Sequence, residues 1–130
     1  MHSKKNDSFF YAFNYRGQNT LWDMIGVSSA PFDGGVCHAN DLLMLFNIPM
    51  YFLNDEEKEV SQKMVSLWTN FAKYGEPNPK ENMVKGVPKW PPYDNEGEYY
   101  MRFDKEFKAH RDFKKEFTIA IDEANEKIKG

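Results

Sequence analysis

The sequence predicts an α/β chain, and three observations carry that reading. Phe9-Phe10-Tyr11-Ala12-Phe13-Asn14-Tyr15 is a brief aromatic run closed by Arg16-Gly17, which suits a strand better than a helix. Residues 55–74 repeat apolar side chains at helical spacing between complete start and stop signals. Tyr99-Tyr100-Met101-Arg102-Phe103 supplies a second short strand, and another stretch with helical periodicity follows it.

Taken in order, the first strand is apolar on both faces for most of its length. Such strands lie in sheets covered on both sides, usually parallel ones, and this one has no evident partner close by in sequence. Residues 17–37 are rich in Gly, Asn, Asp, Ser and Pro and read as a long loop, a kind that is often functional. Asp41 to Phe46 fits one or two helical turns, ending near Asn47-Ile48-Pro49.

The next element has every signal. Asn54-Asp55-Glu56-Glu57 places a cap residue three positions before Glu57, the pattern of a capping box, and its acidic turn suits the positive end of a helix. Val60, Met64, Leu67, Trp68 and Phe71 form one apolar stripe, read as core rather than as a cofactor box. Lys73 closes the last turn, Gly75 stands where a left-handed cap is wanted, and Pro77 and Pro79 block continuation. Residues 75–98 form a loop in which Lys89-Trp90-Pro91-Pro92-Tyr93 pins the chain to its own body rather than to a proline-recognition partner. From about Lys108, Phe113, Phe117, Ile121, Ala124 and Ile128 predict a terminal amphipathic helix.

Composition narrows function by exclusion. The 130 residues amount to about one domain, and 41% hydrophobic with 16% aromatic content describes a folded chain rather than a disordered one. A net charge of −3, with lysines interleaved among acids, argues against nucleic acid as a partner. No stretch approaches the roughly 18 apolar residues of a transmembrane helix, and Met1 to Ser8 is too polar for the core of a targeting signal. Cys37 is the single cysteine, so an internal disulfide and a multi-cysteine zinc site are excluded. His2, His38 and His110 are scattered, without ligand spacing, so neither a metal nor a cofactor is expected. Asn6-Asp7-Ser8 is a formal glycosylation sequon.

Chemistry is concentrated at Gly34-Gly35-Val36-Cys37-His38-Ala39-Asn40-Asp41-Leu42, a glycine-introduced loop running into an apolar segment. Histidine both accepts and returns a proton near neutral pH, so His38 suits general base work. A histidine in isolation is more often structural, and Cys37 beside it points away as an adjacent side chain. Gly26-Val27-Ser28-Ser29-Ala30 comes close to the nucleophile motif Gly-x-Ser-x-Gly. It lacks the preceding strand and following helix that such a motif needs, so Ser28 is rejected as nucleophile.

The aromatic strand, the long loop, the run Gly35 to Leu42 leading into Phe46, Trp68-Thr69-Asn70-Phe71-Ala72-Lys73-Tyr74-Gly75-Glu76-Pro77-Asn78-Pro79 and then Trp90-Pro91-Pro92-Tyr93 resemble, in order and spacing, the C-terminal part of a type B carboxylesterase, the family of insect esterases, juvenile hormone esterases and cholinesterases. The resemblance covers nearly the whole chain from Phe9 onward. It implies the C-terminal segment of an α/β-hydrolase fold, contributing the last sheet strands, a histidine loop and two amphipathic helices. It also implies a serine that attacks an ester carbonyl, a histidine that shuttles the proton and an acid that orients the histidine.

His38 matches the family's catalytic histidine. Where the family pattern usually has an acid two positions later, this chain has Asn40, followed by Asp41. The serine elbow, the triad acid and the oxyanion loop belong to parts of the domain that these residues do not match. Residues 1–130 are therefore expected to be one part of a carboxylesterase domain, acting on a small-molecule ester only with the N-terminal remainder and inactive alone. The resemblance favours secretion over an intracellular location. Two other readings stay open: a carboxylesterase-like adhesion or binding module, and a small independent module using Trp90 to Tyr93. The first strand, short of neighbours, predicts exposed apolar surface in the free chain.

Overall fold

In a computed structural model of the chain, residues 7–24, 34–115, 118–119 and 126 are described. They form β1 (Phe10–Phe13), α1 (Leu21–Met24), α2 (Leu42–Leu45), α3 (Asp55–Tyr74), a short 3-10 turn (Lys80–Asn82), β2 (Tyr100–Phe103) and β3 (Phe107–His110). Helices precede and strands flank in the α/β manner that the aromatic and helical patterns predict.

α3 forms as its sequence dictates. The Asn54 side chain accepts from the Glu57 N–H at 2.9 Å, while Glu57 Oε2 accepts from the Asn54 N–H at 2.8 Å. At the other end Gly75 adopts φ +73 and donates its N–H to Phe71 O at 2.8 Å, the left-handed stop that glycine accepts without a Cβ penalty. The buried face is Val60, Met64 and Leu67, packed with Leu43 and Met44 of α2 and with Met101, Phe103 and Trp90. Each such side chain, fully removed from water, contributes about 1.5–3 kcal/mol before conformational entropy is counted. The upper end of the stripe departs from expectation. Trp68 is half-buried and Phe71 is 47% exposed, and they line an open apolar cleft of about 160 Å³ with Phe9, Tyr11, Pro77 and Trp90.

β1 does find partners. It pairs in parallel with β2 (Phe10 with Tyr100 through Phe13 with Phe103), and β2 pairs antiparallel with β3 (Tyr100 with His110 through Phe103 with Phe107). Parallel strands need a long crossover, and the whole span from α1 to α3 supplies it. β2 is the central strand, with Tyr100, Met101 and Phe103 at 0% exposure.

Two expectations fail here. β1 is not sealed on both faces: Phe10 is 39% exposed and the rest of the strand half-buried, because among the described residues β1 lies at a sheet edge. The helix expected from Lys108 begins later, since Phe107 to His110 is β3, and residues 113–115 are helical. Phe107 faces the core while Lys108 is exposed, a charged residue of the kind that guards edge strands. Of the remaining terminal stripe, Phe117, Ile121, Ala124 and Ile128 lie outside the described residues.

The Trp90 loop is pinned as expected. Its indole Nε1 donates to Phe10 O at 3.1 Å, Tyr93 donates its N–H to Ser8 O at 2.7 Å, and the Tyr93 ring stacks on Phe10 at 4.2 Å. Phe46, Met50 and Phe52 are apolar and exposed, as the reading of the free chain anticipates.

Candidate active site

The segment carrying His38 is assembled from three places in the chain. β1 is followed by Asn14, whose N–H extends the pairing to Phe103 O at 2.7 Å. Tyr15 then turns inward, buried, and its hydroxyl donates to Glu56 Oε1 at 3.1 Å. Gly17 reverses the chain at φ +63, and a Cβ there would stand 2.7 Å from Glu57 Oε1, so only glycine fits.

Glu57 is the anchor of this corner. Its side chain is 0% exposed, and it accepts from Gln18 N–H (2.8 Å), Tyr51 O–H (2.8 Å) and Asn54 N–H (2.8 Å). Three donors meet one carboxylate, the full satisfaction that a buried acid without a cation requires. Burial and these carboxylates hold the Tyr15 and Tyr51 hydroxyls well above the usual tyrosine range, burial being the larger cause in both. Outside the cage, the hydrogen bond from Lys105 and then that from Tyr15 keep the Glu56 carboxyl below its ordinary value.

Thr20 opens α1. Its N–H and O–H both donate to Asp23 Oδ2 (2.7 and 2.9 Å), and its oxygen accepts from Asp23 N–H at 3.4 Å, a reciprocal cap at the helix start. The next N–H, that of Leu21, reaches across the chain to Asn40 Oδ1 at 3.0 Å. Gly34, at the entry to the histidine loop, lies against the Trp22 ring, where a Cβ would sit 3.1 Å from the ring edge.

His38 occupies the second position of the turn Cys37 to Asn40, closed by Asn40 N–H to Cys37 O at 3.2 Å. The third position, Ala39, has φ +68, the left-handed value of a type II turn, which is strained for any residue with a Cβ. The polar side chains flanking His38 are committed to the framework. Cys37 Sγ donates to Asn40 Oδ1 at 3.0 Å, and Asp41 Oδ2 accepts from Tyr11 O–H at 2.8 Å, tying the loop to β1. Behind the turn α2 is fastened to α3 by Ser61 Oγ, which donates to Met44 O at 2.6 Å. His38 itself is exposed. A ring so displayed on a firmly held turn is free to meet a group brought to it.

The structure thus separates His38 from the sequence's other candidates. Cys37 bonds to Asn40, His110 lies against the Tyr100 ring with centroids 5.4 Å apart, and Ser28, His2 and the Asn6 sequon lie outside the described residues. Among the described residues no His, Cys, Asp and Glu side chains gather as a metal site. Sequence reasoning missed the bridging role of Asn40 and the cage around Glu57. For the cage, the capping-box pair Asn54 and Glu57 and Gly17 beside a polar Gln18 were the local signs; for the Asn40 bridge, made to a residue 19 positions away, there was none.

Comparison with known proteins identifies the framework. The carboxylesterase family's model matches residues 1–120. The chain belongs to the carboxylesterase family. Over 80 residues, 58% of the chain, it is 42% identical to juvenile hormone esterase of Tribolium castaneum, of which it spans 14%. Over 99 residues, 73% of the chain, it is 30% identical to acetylcholinesterase 1 of Caenorhabditis elegans, of which it spans 15%. A crystal structure of a carboxylesterase from Geobacillus stearothermophilus superposes with a TM-score of 0.56 at 22% identity, covering 82% of this chain and 20% of that one. The fold is therefore part of an α/β-hydrolase, and the chain spans about a seventh of the curated relatives it matches. No helix among the described residues is long and apolar enough to cross a membrane.

Proposed function

We propose that this carboxylesterase-family chain supplies the general base, His38, of a Ser-His-acid triad in a carboxylic-ester hydrolase. The serine and the orienting acid come from outside these 130 residues, all of which belong to one catalytic domain. The observation that carries the reading is the exposed imidazole on a left-handed turn whose polar neighbours all bond to the framework and none to the ring. Strain of that kind persists where surrounding structure enforces it, and it clusters at active sites. The turn is also tied to β1 through the Tyr11 hydroxyl.

In this role His38 takes the proton from the serine hydroxyl as it attacks the ester carbonyl and returns it to the departing alcohol. It then activates the water that releases the carboxylate product. Asp41, whose Oδ2 accepts from the Tyr11 hydroxyl, serves to tie the turn to β1. The substrate is a small-molecule ester. Without the serine and the oxyanion donors, the chain alone hydrolyses esters no faster than free imidazole.

Two assays test this. The purified chain is expected to show no saturable hydrolysis of p-nitrophenyl acetate. In a chimera, the juvenile hormone esterase of Tribolium castaneum carries these residues in place of its matching segment. There His38→Ala is expected to lower kcat/KM by about 10⁴-fold. Saturable hydrolysis by the chain that His38→Ala abolishes, or a chimera indifferent to that change, overturns the reading.

A further inference from the structure

We infer that Asn40 positions His38, by holding the histidine turn on the first residue of α1 through an uncharged acceptor. This rests on the reading of His38 as the general base.

Asn40 belongs to both halves of the contact. Its backbone N–H closes the turn on Cys37 O at 3.2 Å, so its main chain sets where His38 begins. Its side chain, 2% exposed, accepts at Oδ1 both from Leu21 N–H outside the turn and from Cys37 Sγ within it, each at 3.0 Å. The Leu21 N–H is one of the first-turn donors that a helix cannot satisfy internally, so the acceptor is required by α1 as much as by the turn. The Cys37 contact fixes the residue on the other side of His38. One amide oxygen thereby spans His38 and refers it to α1.

α1 is itself immobilised. Thr20 and Asp23 cap it reciprocally, and Gln18, two residues earlier, donates to the buried Glu57 at the start of the twenty-residue α3. His38 is therefore registered to α3 through Asn40, Leu21, Gln18 and Glu57. A carboxylate at position 40 would accept the same two hydrogen bonds. It would also place a negative charge two residues from the imidazole and favour its protonated form. The amide supplies the geometry without that charge.

The esterase chimera described above is the test, with kcat, KM and the pH profile as readouts. Asn40→Ala removes the acceptor and is expected to lower kcat about 10- to 100-fold with KM unchanged within about twofold. Asn40→Asp restores the acceptor. It is expected to bring kcat back to within about threefold at alkaline pH, and to move the acidic limb of the kcat/KM profile upward by roughly 0.5 to 1 pH unit. Leu21→Pro deletes the donor together with a leucine side chain packed against the core, at a first helical position where proline is tolerated. It is expected to lower kcat in the same direction, with Leu21→Ala as the control for the lost packing.

Unchanged kcat in Asn40→Ala or in Leu21→Pro overturns the proposal. So does an Asn40→Asp variant that neither recovers rate nor shifts the limb. Should Asn40→Ala fail to fold, the Asn40→Asp profile and Leu21→Pro decide. His38→Ala, run alongside, separates the two ideas. Loss with His38→Ala but not with Asn40→Ala removes the positioning role alone, whereas indifference to His38→Ala removes the general base and with it the role of Asn40.

Discussion

Glu57 and His38 contrast sharply among the described ionisable groups. Glu57 is 0% exposed and meets three donors, while His38 is exposed and its polar neighbours bond to one another, to the Leu21 backbone and to the Tyr11 hydroxyl. The first group organises a corner where the segment after β1, the loop before α3 and the α3 N-terminus meet. The second organises nothing, and the molecule instead organises its support. A buried carboxylate with full partners is a structural device, and on the reading proposed above a displayed imidazole on a strained, anchored turn is a chemical one.

The widest way to test that contrast is to remove each group in turn. Glu57→Ala leaves the N–H groups of Gln18 and Asn54 and the Tyr51 hydroxyl without their acceptor. It is expected to cost about 3–5 kcal/mol, read from urea unfolding of the 130-residue chain. His38→Ala is expected to stay within about 0.5 kcal/mol, as for an exposed residue with no partner to strand. If the two variants lost similar stability, the division into structural and chemical groups would be wrong.

Two glycines sharpen it further. Gly17 and Gly75 have similar backbone angles, φ +63 and φ +73, but a Cβ at Gly75 meets nothing within 4 Å, whereas at Gly17 it meets Glu57 Oε1 at 2.7 Å. Gly75→Ala therefore reports only the left-handed backbone, at about 1 kcal/mol. Gly17→Ala adds displacement of the carboxylate from its donors and is expected to cost about 2–3 kcal/mol. Equal losses in thermal melts of the two variants would show that the cage yields without cost.

The same contrast explains what the sequence disclosed. α3 was legible from end to end because each signal is local: Asn54 and Glu57 are three residues apart, the stripe repeats within the helix, and Gly75 acts on its own turn. The 42–45 helix and the strand at Tyr100 to Phe103 were legible for the same reason. β3 was not, because Phe107 to His110 is a four-residue edge strand with one buried side chain. Its neighbours at Phe113 and Phe117 continue a helical spacing that overrode it. The partner of β1 was invisible since it lies beyond three helices, and sequence carries no direct record of such pairing. His38 was singled out by its glycine-introduced loop and given a role only through family resemblance. Its supports were not, because Leu21 to Asn40 and Tyr11 to Asp41 are contacts across 19 and 30 positions.

The smallest expected effect isolates one of those long contacts. The Tyr11 hydroxyl donates to Asp41 Oδ2 at 2.8 Å. Burial, then that hydrogen bond and the carboxylate's charge, push the hydroxyl up to about 12. A raised folded-state value means that the folded chain keeps a proton which the unfolded chain releases near pH 10. The contribution is then complete below about pH 10 and disappears as the pH climbs through about 12. Tyr11→Phe removes the bond, is expected to cost about 0.5–1.5 kcal/mol at pH 7, and flattens the alkaline loss of stability. Tyr15 and Tyr51, whose hydroxyls are raised by burial and by Glu56 and Glu57, remain in the variant and keep part of the slope. Urea midpoints of both proteins between pH 7 and pH 11.5 measure the difference. Curves that stay parallel would mean that Tyr11 does not hold Asp41, leaving Asn40 as the tie that carries the histidine turn.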